Sequence, residues 1–360
     1  MTAPEPERTS RYAIRSRPED FVVVEEPLYP ASGEGKHTFV WIEKRGRTTE
    51  QVARDLARAA GVAARDVGYA GRKDRHAVTR QWFSLPAVDP ADALGFELAD
   101  ARVLEATRHE HKLKTGHLRA NRFEIVLRGE GEASIETLRA RASELVRRGM
   151  PNRYGTQRFG REGDNAEQAR KMLESGRAPR DRRAGRFLIS ALQSEVFNAV
   201  LEERFEGLDS VEEGDLARVE ESGGLFWVDD VERERARAAA FEISATGPIF
   251  GTRTREPRGD VAALERRVFD RFGLPGSGEL RLPRGIRARG TRRPLRVRPE
   301  DLAIEPLEGE SGLRIRVALP SGSYLTVLLD CLVGPVRDAS RRSGSPDERD
   351  DAGVSSAADE

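Results

Sequence analysis

Residues Gly68–Phe83 read GYAGRKDRHAVTRQWF. Val67–Ala70 forms a short strand that runs into a polar loop, and Thr79–Leu85 is a β-rich return strand stopped by Pro86. Working outward, further strands are expected at Arg11–Ser16, Phe21–Glu26 (FVVVEE), His37–Lys44, Arg102–His109 and Arg122–Arg128. A helix is expected over Glu50–Ala60, capped by Thr48 or Thr49 and ended by Gly61. Ala133–Arg148 is a second helix, ended by Gly149 and Pro151. Strands and helices thus alternate without a regular βαβ rhythm, which predicts an α+β fold with a mixed sheet rather than a doubly wound one.

From Pro151 the character changes. The loop PNRYGTQRFGREGDN precedes helices near Ala166–Glu174, Arg186–Phe205, Glu232–Phe241 and Val261–Phe272. In the second of these Leu188, Leu192, Val196 and Val200 fall four residues apart and make an apolar stripe. Strands return near Arg293; Leu313–Leu319 is one, followed by a turn and a short apolar helix in PSGSYLTVLLDCLV. The last segment, Arg337–Glu360, is rich in Ser, Asp, Ala and Arg and is expected to be disordered.

The chain of 360 residues has 38% apolar residues, enough for packed cores in about two domains. No apolar run approaches the roughly 20 residues that cross a bilayer. The opening MTAPEPERTS has no apolar core and does not read as a secretory signal. Cys331 is the single cysteine, so no internal disulfide forms, and a cytoplasmic setting is expected. Lys plus Arg and Asp plus Glu both number 61, yet the basic residues cluster. Arg281–Arg298 holds eight arginines and no acid, and Arg147–Arg161 holds five and no acid. Such runs suit a polyanion surface, because each phosphate neutralised releases counterions; an Arg-rich solvated face is the plainer alternative.

The densest polar cluster is again Gly68–Phe83, with Asp74 between Lys73 and Arg75 and with Arg72 and His76 alongside. A carboxylate in a cationic loop repels phosphate, so for an RNA-binding surface it makes sense if it reacts; a salt-bridged surface loop is the competing reading. Other motifs fail. Gly68 and Gly71 are not followed by the Gly-Lys-Ser/Thr of a phosphate loop. His109 and His111 alternate onto one strand face without a third ligand at metal spacing, so a surface strand is expected rather than a zinc site. Tyr69, Trp82, Phe123, Tyr154, Phe159 and Tyr324 are rings on which an extruded base could stack, with Asn121 and Gln157 as amide readers; core packing is the alternative for each.

The ordered set RPEDFVVVE (Arg17–Glu25), GYAGRKDRHAVTRQW, LRANRFEIVLR (Leu118–Arg128), PNRYGTQRFG (Pro151–Gly160), QSEVFN (Gln193–Asn198) and LPSGSY (Leu319–Tyr324) resembles the TruD family of tRNA pseudouridine synthases. The resemblance implies a pseudouridine synthase catalytic domain, a mixed and largely antiparallel sheet with flanking helices, interrupted by a family-specific insertion. The expected division is 1–150 with 300–336 for the catalytic domain, 151–299 for the insertion and 337–360 for the tail. It implies isomerisation of uridine 13 in the D-arm of tRNA, with tRNA as partner, no cofactor, no metal and no need for more than a monomer. Asp74 matches the family's catalytic aspartate and Lys73 its neighbouring lysine. Asn121 and Phe123 match an active-site asparagine and a ring on the target base, and Phe21 another position near the site. Tyr324 stands where many members carry Phe. On the bare residues, Lys73 or Arg75 is expected to hold Asp74 charged and oriented. A non-catalytic RNA-binding protein would tolerate loss of Asp74, and a nucleosidase would need a second acid beside it.

Overall fold

The computed structural model describes residues 11–159, 163–276 and 279–340. The first part of the chain supplies strands β1 (Ala13–Ile14), β2 (Phe21–Pro27), β3 (His37–Arg45), β4 (Gly68–Tyr69), β5 (Val78–Pro86), β6 (Ala101–His109) and β7 (Leu118–Arg128), and helices α1 (Thr49–Ala59), α2 (Pro90–Leu94) and α3 (Ile135–Arg148). After β8 (Met150–Pro151) come α4 (Asn165–Ser175), α5 (Arg182–Glu203), β9 (Leu216–Val219), β10 (Leu225–Trp227), α6 (Val231–Ala239), β11 (Ile243–Ile249), α7 (Gly259–Arg271), β12 (Thr291–Pro294) and β13 (Arg296–Val297). The chain then forms β14 (Glu300–Pro306), β15 (Gly312–Pro320), α8 (Leu325–Val333) and β16 (Arg337–Asp338).

A ten-stranded sheet runs β14-β15-β7-β2-β5-β3-β6, with β1, β4 and β16 attached at its flanks. Only β2–β5 and β1–β16 pair parallel; the other pairs are antiparallel, so the fold is α+β with a mixed sheet. Alternation decides which face is buried. Phe21, Val23 and Glu25 of β2 lie inward and meet Ile125, Phe123 and Asn121 of β7 across the ladder. Helices α3 and α8 cover that face through Leu138, Ala142, Leu325, Leu328, Leu329 and Leu332. Helix α1 packs Val52, Ala53 and Leu56 against Val40, Ile42 and Phe83 elsewhere on the sheet.

A second sheet, β10-β9-β11-β12, comes wholly from the middle of the chain. Between Leu208 and Ser277 the sequence pattern predicts helices alone. Strand β11, ISATGPI, is buried along its whole length, so it shows no polar alternation and carries a Gly-Pro step that reads as a turn. The two crossings between these sheets pair with each other, Pro151 with Arg296 and Met150 with Val297.

The C-terminal reading needs correction at its start. Arg337 and Asp338 form a strand, paired in parallel with Ala13 and Ile14, because backbone N–H groups of Arg337 and Ala339 donate to the carbonyls of Tyr12 and Ile14 at 3.0 and 2.9 Å. Residues 341–360 lie outside the described residues.

Candidate active site

Asp74 sits in the loop between β4 and β5, and three buried groups, Thr49, Gln81 and Lys44, fix that loop. Thr48 caps α1 in a reciprocal box with Gln51 (3.2 and 2.8 Å), which sets the first turn and places Thr49. The Thr49 hydroxyl accepts from the Lys73 backbone N–H at 2.9 Å and is 2.8 Å from Gln81 Oε1. Gln81 in turn donates to the Gly71 carbonyl at 2.9 Å. Lys44, only 1% exposed, donates through Nζ to the Asp74 carbonyl at 2.9 Å and to that of Arg47 at 2.6 Å. The backbone of Asp74 is thereby held by groups that its own side chain does not contact, leaving the carboxylate for other partners.

Lys73 and Asp74 point in different directions. Lys73 Nζ lies 2.6 Å from Glu25 Oε2 in a buried pair on β2. The Asp74 side chain is 43% exposed and, among the described residues, takes its ion pair from Arg15 Nη2 at 3.0 Å. The cation that holds Asp74 is therefore Arg15, 59 residues earlier, and not Lys73 or Arg75. Nothing in the local sequence around Arg15 signals this, because the contact depends on β1 lying beside β7 and β16. Arg15 stands in the left-handed region at φ 56°, a conformation that costs a bulky residue about 1 kcal/mol or more. Its guanidinium lies 4.1 Å over the Phe21 ring and also pairs with Asp338 at 2.7 Å. Burial alone would weaken its hold on the proton, but Asp74 and Asp338 more than offset that.

Phe21 and Phe123 meet edge to face with centroids 6.3 Å apart. The tight turn before Phe21 is anchored by Asp20, whose two oxygens accept from Nε and Nη2 of Arg128, each at 2.7 Å. Two residues along β7 from Phe123, Asn121 faces the same side, beside Glu25 and Leu319. Its Oδ1 is buried without a hydrogen-bond partner. An unpaired buried amide oxygen is costly, and it is a ready acceptor for the N–H edge of a base.

Beyond the end of β15, Tyr324 packs on Tyr154, centroids 6.0 Å apart, and Gly155 leaves room for it: a Cβ there would lie 3.0 Å from the Tyr324 ring. Burial raises the Tyr324 phenol, with Arg158 and Arg293 acting against that. Arg293 donates to the Asn152 carbonyl at 3.2 Å and to the Gly322 carbonyl at 2.9 Å, so it ties the loop after β8 to the turn before Tyr324. Its guanidinium lies 4.3 Å over Tyr154. The Gln157 side chain lies outside what is described.

Two expectations about charge and histidine change. Arg292 of the basic run is buried and takes Glu265 in two hydrogen bonds of 2.6 and 2.9 Å, and Arg296 is buried on backbone carbonyls. Both are structural. Arg281, Arg284, Arg287, Arg289 and Arg298 remain exposed. His109 is buried, stacked on Tyr29 with centroids 5.3 Å apart, and its Nδ1 accepts from the Ser32 N–H at 3.1 Å. It ends β6, where the Tyr29 and Phe39 rings cover it.

Comparison with known proteins places the chain among close relatives. A family model described as tRNA pseudouridine synthase D (TruD) matches residues 8–178 and 180–331. The tRNA pseudouridine synthase D of one Anaeromyxobacter dehalogenans strain is 43% identical over 325 residues, covering 88% of this chain and 91% of that protein. That of Thermus thermophilus is 42% identical over 319 residues, covering 88% and 87%. A crystal structure from Methanosarcina mazei, of a protein provisionally assigned as tRNA pseudouridine synthase D, matches with a TM-score of 0.72. It covers 93% of this chain and 97% of its own at 22% identity, a likeness of fold.

Proposed function

The chain belongs to the tRNA pseudouridine synthase D (TruD) family, a class of isomerases, and on that premise we propose that it converts uridine 13 in the D-arm of tRNA to pseudouridine with Asp74 as the catalytic carboxylate. The observation that carries the proposal is the Asp74 carboxylate, open to solvent yet held at 3.0 Å by a buried arginine that stacks on Phe21. In this reading residues 1–150 with 300–336 are the catalytic domain and 151–299 the family insertion. The RNA lies between them, along exposed Arg281, Arg284, Arg287 and Arg289.

The reaction breaks C1′–N1 of uridine and joins C1′ to C5; N1 gains a proton and C5 loses one, so the atoms balance without a co-reactant. The target nucleotide leaves the stack at a cost of a few kcal/mol. Asp74 then acts in its ionised form, by adding to C1′ or C6 or by taking a sugar proton. Arg15 neutralises its charge against the approaching phosphates and holds one oxygen, so the other is presented to the ribose. Phe123 carries the face of the detached uracil, with Phe21 bracing it, and Asn121 Oδ1 accepts from its imide N–H as it turns. Tyr324, in the turn after β15, is assigned to the substrate by its family position. Lys73 serves this reading through Glu25, as an anchor of the loop.

Pseudouridine mapping of tRNA incubated with the purified chain and with its Asp74→Asn variant tests the proposal. Modification at position 13 by the first, and none by the second with tRNA binding within several-fold, is the expected result. Substantial pseudouridine from the variant would falsify the role of Asp74, and release of free uracil would mark a nucleosidase instead.

A further inference from the structure

Arg15 is clamped by two carboxylates from distant parts of the chain, and we infer that Asp338 is a positioning residue for Asp74, acting through Arg15. This rests on the catalytic role proposed for Asp74. Asp338 lies past Cys331, the last residue that the family model matches.

Asp338 reaches Arg15 because β16 pairs in parallel with β1, Ala13 opposite Arg337 and Ile14 opposite Asp338. Its carboxylate is itself oriented. Oδ1 accepts from the Ser340 backbone N–H at 3.0 Å and from the Ser340 hydroxyl at 2.7 Å, which turns Oδ2 to Arg15 Nη1 at 2.7 Å. The guanidinium is planar, with its donors in a fixed fork. Fixing Nη1 on Asp338, with the plane laid against Phe21, fixes the direction in which Nη2 meets Asp74.

The consequence concerns how many oxygens of Asp74 are engaged. Among the described residues Arg15 touches Asp74 through Oδ2 alone. Arginine and carboxylate left to themselves favour the two-bond, fork-to-fork pair. Asp338 holds Nη1 and so sets the orientation in which Arg15 meets Asp74 through Nη2 alone, with Arg15 Nε buried and unpaired and Asp74 Oδ1 left to react. Without Asp338 the guanidinium is free to turn into the two-bond pair with Asp74, which withdraws that oxygen from the substrate.

Turnover of tRNA carrying tritium at C5 of uridine, followed by tritium release with the full chain, tests this. Asp338→Ala is expected to lower kcat about tenfold or more. KM for tRNA and the melting temperature should stay near the wild-type values, and Asp338→Glu should recover part of kcat. The nearly isosteric Asp338→Asn decides the matter if the alanine variant does not fold, since it keeps the shape but weakens the hold on Arg15. Wild-type kcat in Asp338→Ala or Asp338→Asn overturns the inference, as does a loss confined to KM or to melting temperature. If the wild-type chain makes no pseudouridine, the proposed function falls and this inference with it. If wild type turns over and the Asp338 variants match it, only this inference falls.

Discussion

Lys73 Nζ lies 2.6 Å from Glu25 Oε2, and the two side chains are 4% and 1% exposed. Glu25 Oε1 also accepts from the Trp82 N–H at 3.3 Å, so one carboxylate joins the catalytic loop, β2 and β5. The lysine beside Asp74 in sequence thus anchors the loop from inside, and the arginine that meets Asp74 comes from outside it. Removing one partner of such a pair leaves the other buried and unpaired, at about 3–5 kcal/mol. Lys73→Met is therefore expected to lose about that much in urea unfolding, and Lys73→Met with Glu25→Leu to recover most of it. A loss under about 1 kcal/mol in the single variant would show that the pair is not an anchor.

Asn121 Oδ1 has no partner to lose within the protein. Asn121→Ala should therefore leave stability within about 1 kcal/mol while lowering kcat/KM by about tenfold or more, since tenfold corresponds to about 1.4 kcal/mol of lost transition-state contact. Steady-state kinetics on tRNA with a parallel melting curve checks this; unchanged kinetics would return Asn121 to a role in the sheet alone.

Arg289 and Arg292 are three residues apart and should behave oppositely. Arg289 is exposed, and Arg289→Glu should weaken tRNA binding and reduce the slope of log affinity against log salt by about 1. Arg292 is buried on Glu265, so Arg292→Glu sets two carboxylates together and should cost about 3–5 kcal/mol or prevent folding. Binding measured across a salt series, with circular dichroism of both variants, separates the two. An Arg289 variant with an unaltered slope would assign the exposed run to ordinary solvated surface.

His109 and His37 give the fold a pH dependence whose sign follows from burial. Burial lowers both imidazoles below their ordinary value; His111 adds to this for both, and Lys112 for His37, while Glu110 opposes it at His109. As pH falls past about 6.5 the unfolded chain takes up these protons before the folded one does, so stability declines with falling pH from there down to the folded values. Protonating His109 at Nδ1 also removes its acceptor for the Ser32 N–H. The melting temperature should be lower at pH 5.5 than at pH 7.5, and His109→Gln should shrink that difference. An equal difference in the variant would place the dependence elsewhere.

Periodicity made the outer parts of the fold legible. FVVVEE, the return strand after Ala77 and the apolar stripe of α5 all appear where the alternation puts them, because each buries one face. Strand β11 of the second sheet is not legible in this way for the opposite reason: it is buried along its whole length, so its residues carry no alternation. The basic run looked uniform in sequence, and burial divides it into structural arginines at 292, 293 and 296 and exposed ones at 281, 284, 287 and 289.

What the amino-acid order determines by itself is the set of reactive groups and their local strands: Asp74 in a cationic loop, Phe123 and Asn121 two apart on one face, and Phe21 at the head of β2. Those follow from the alternation of a strand and from motif spacing, both short-range properties. What only the tertiary structure decides is which charge meets which. Arg15 reaches Asp74 across 59 residues and Asp338 reaches Arg15 across 323. Contacts of that separation are set by which strands lie side by side and by the conformation at Arg15, and no local pattern encodes either.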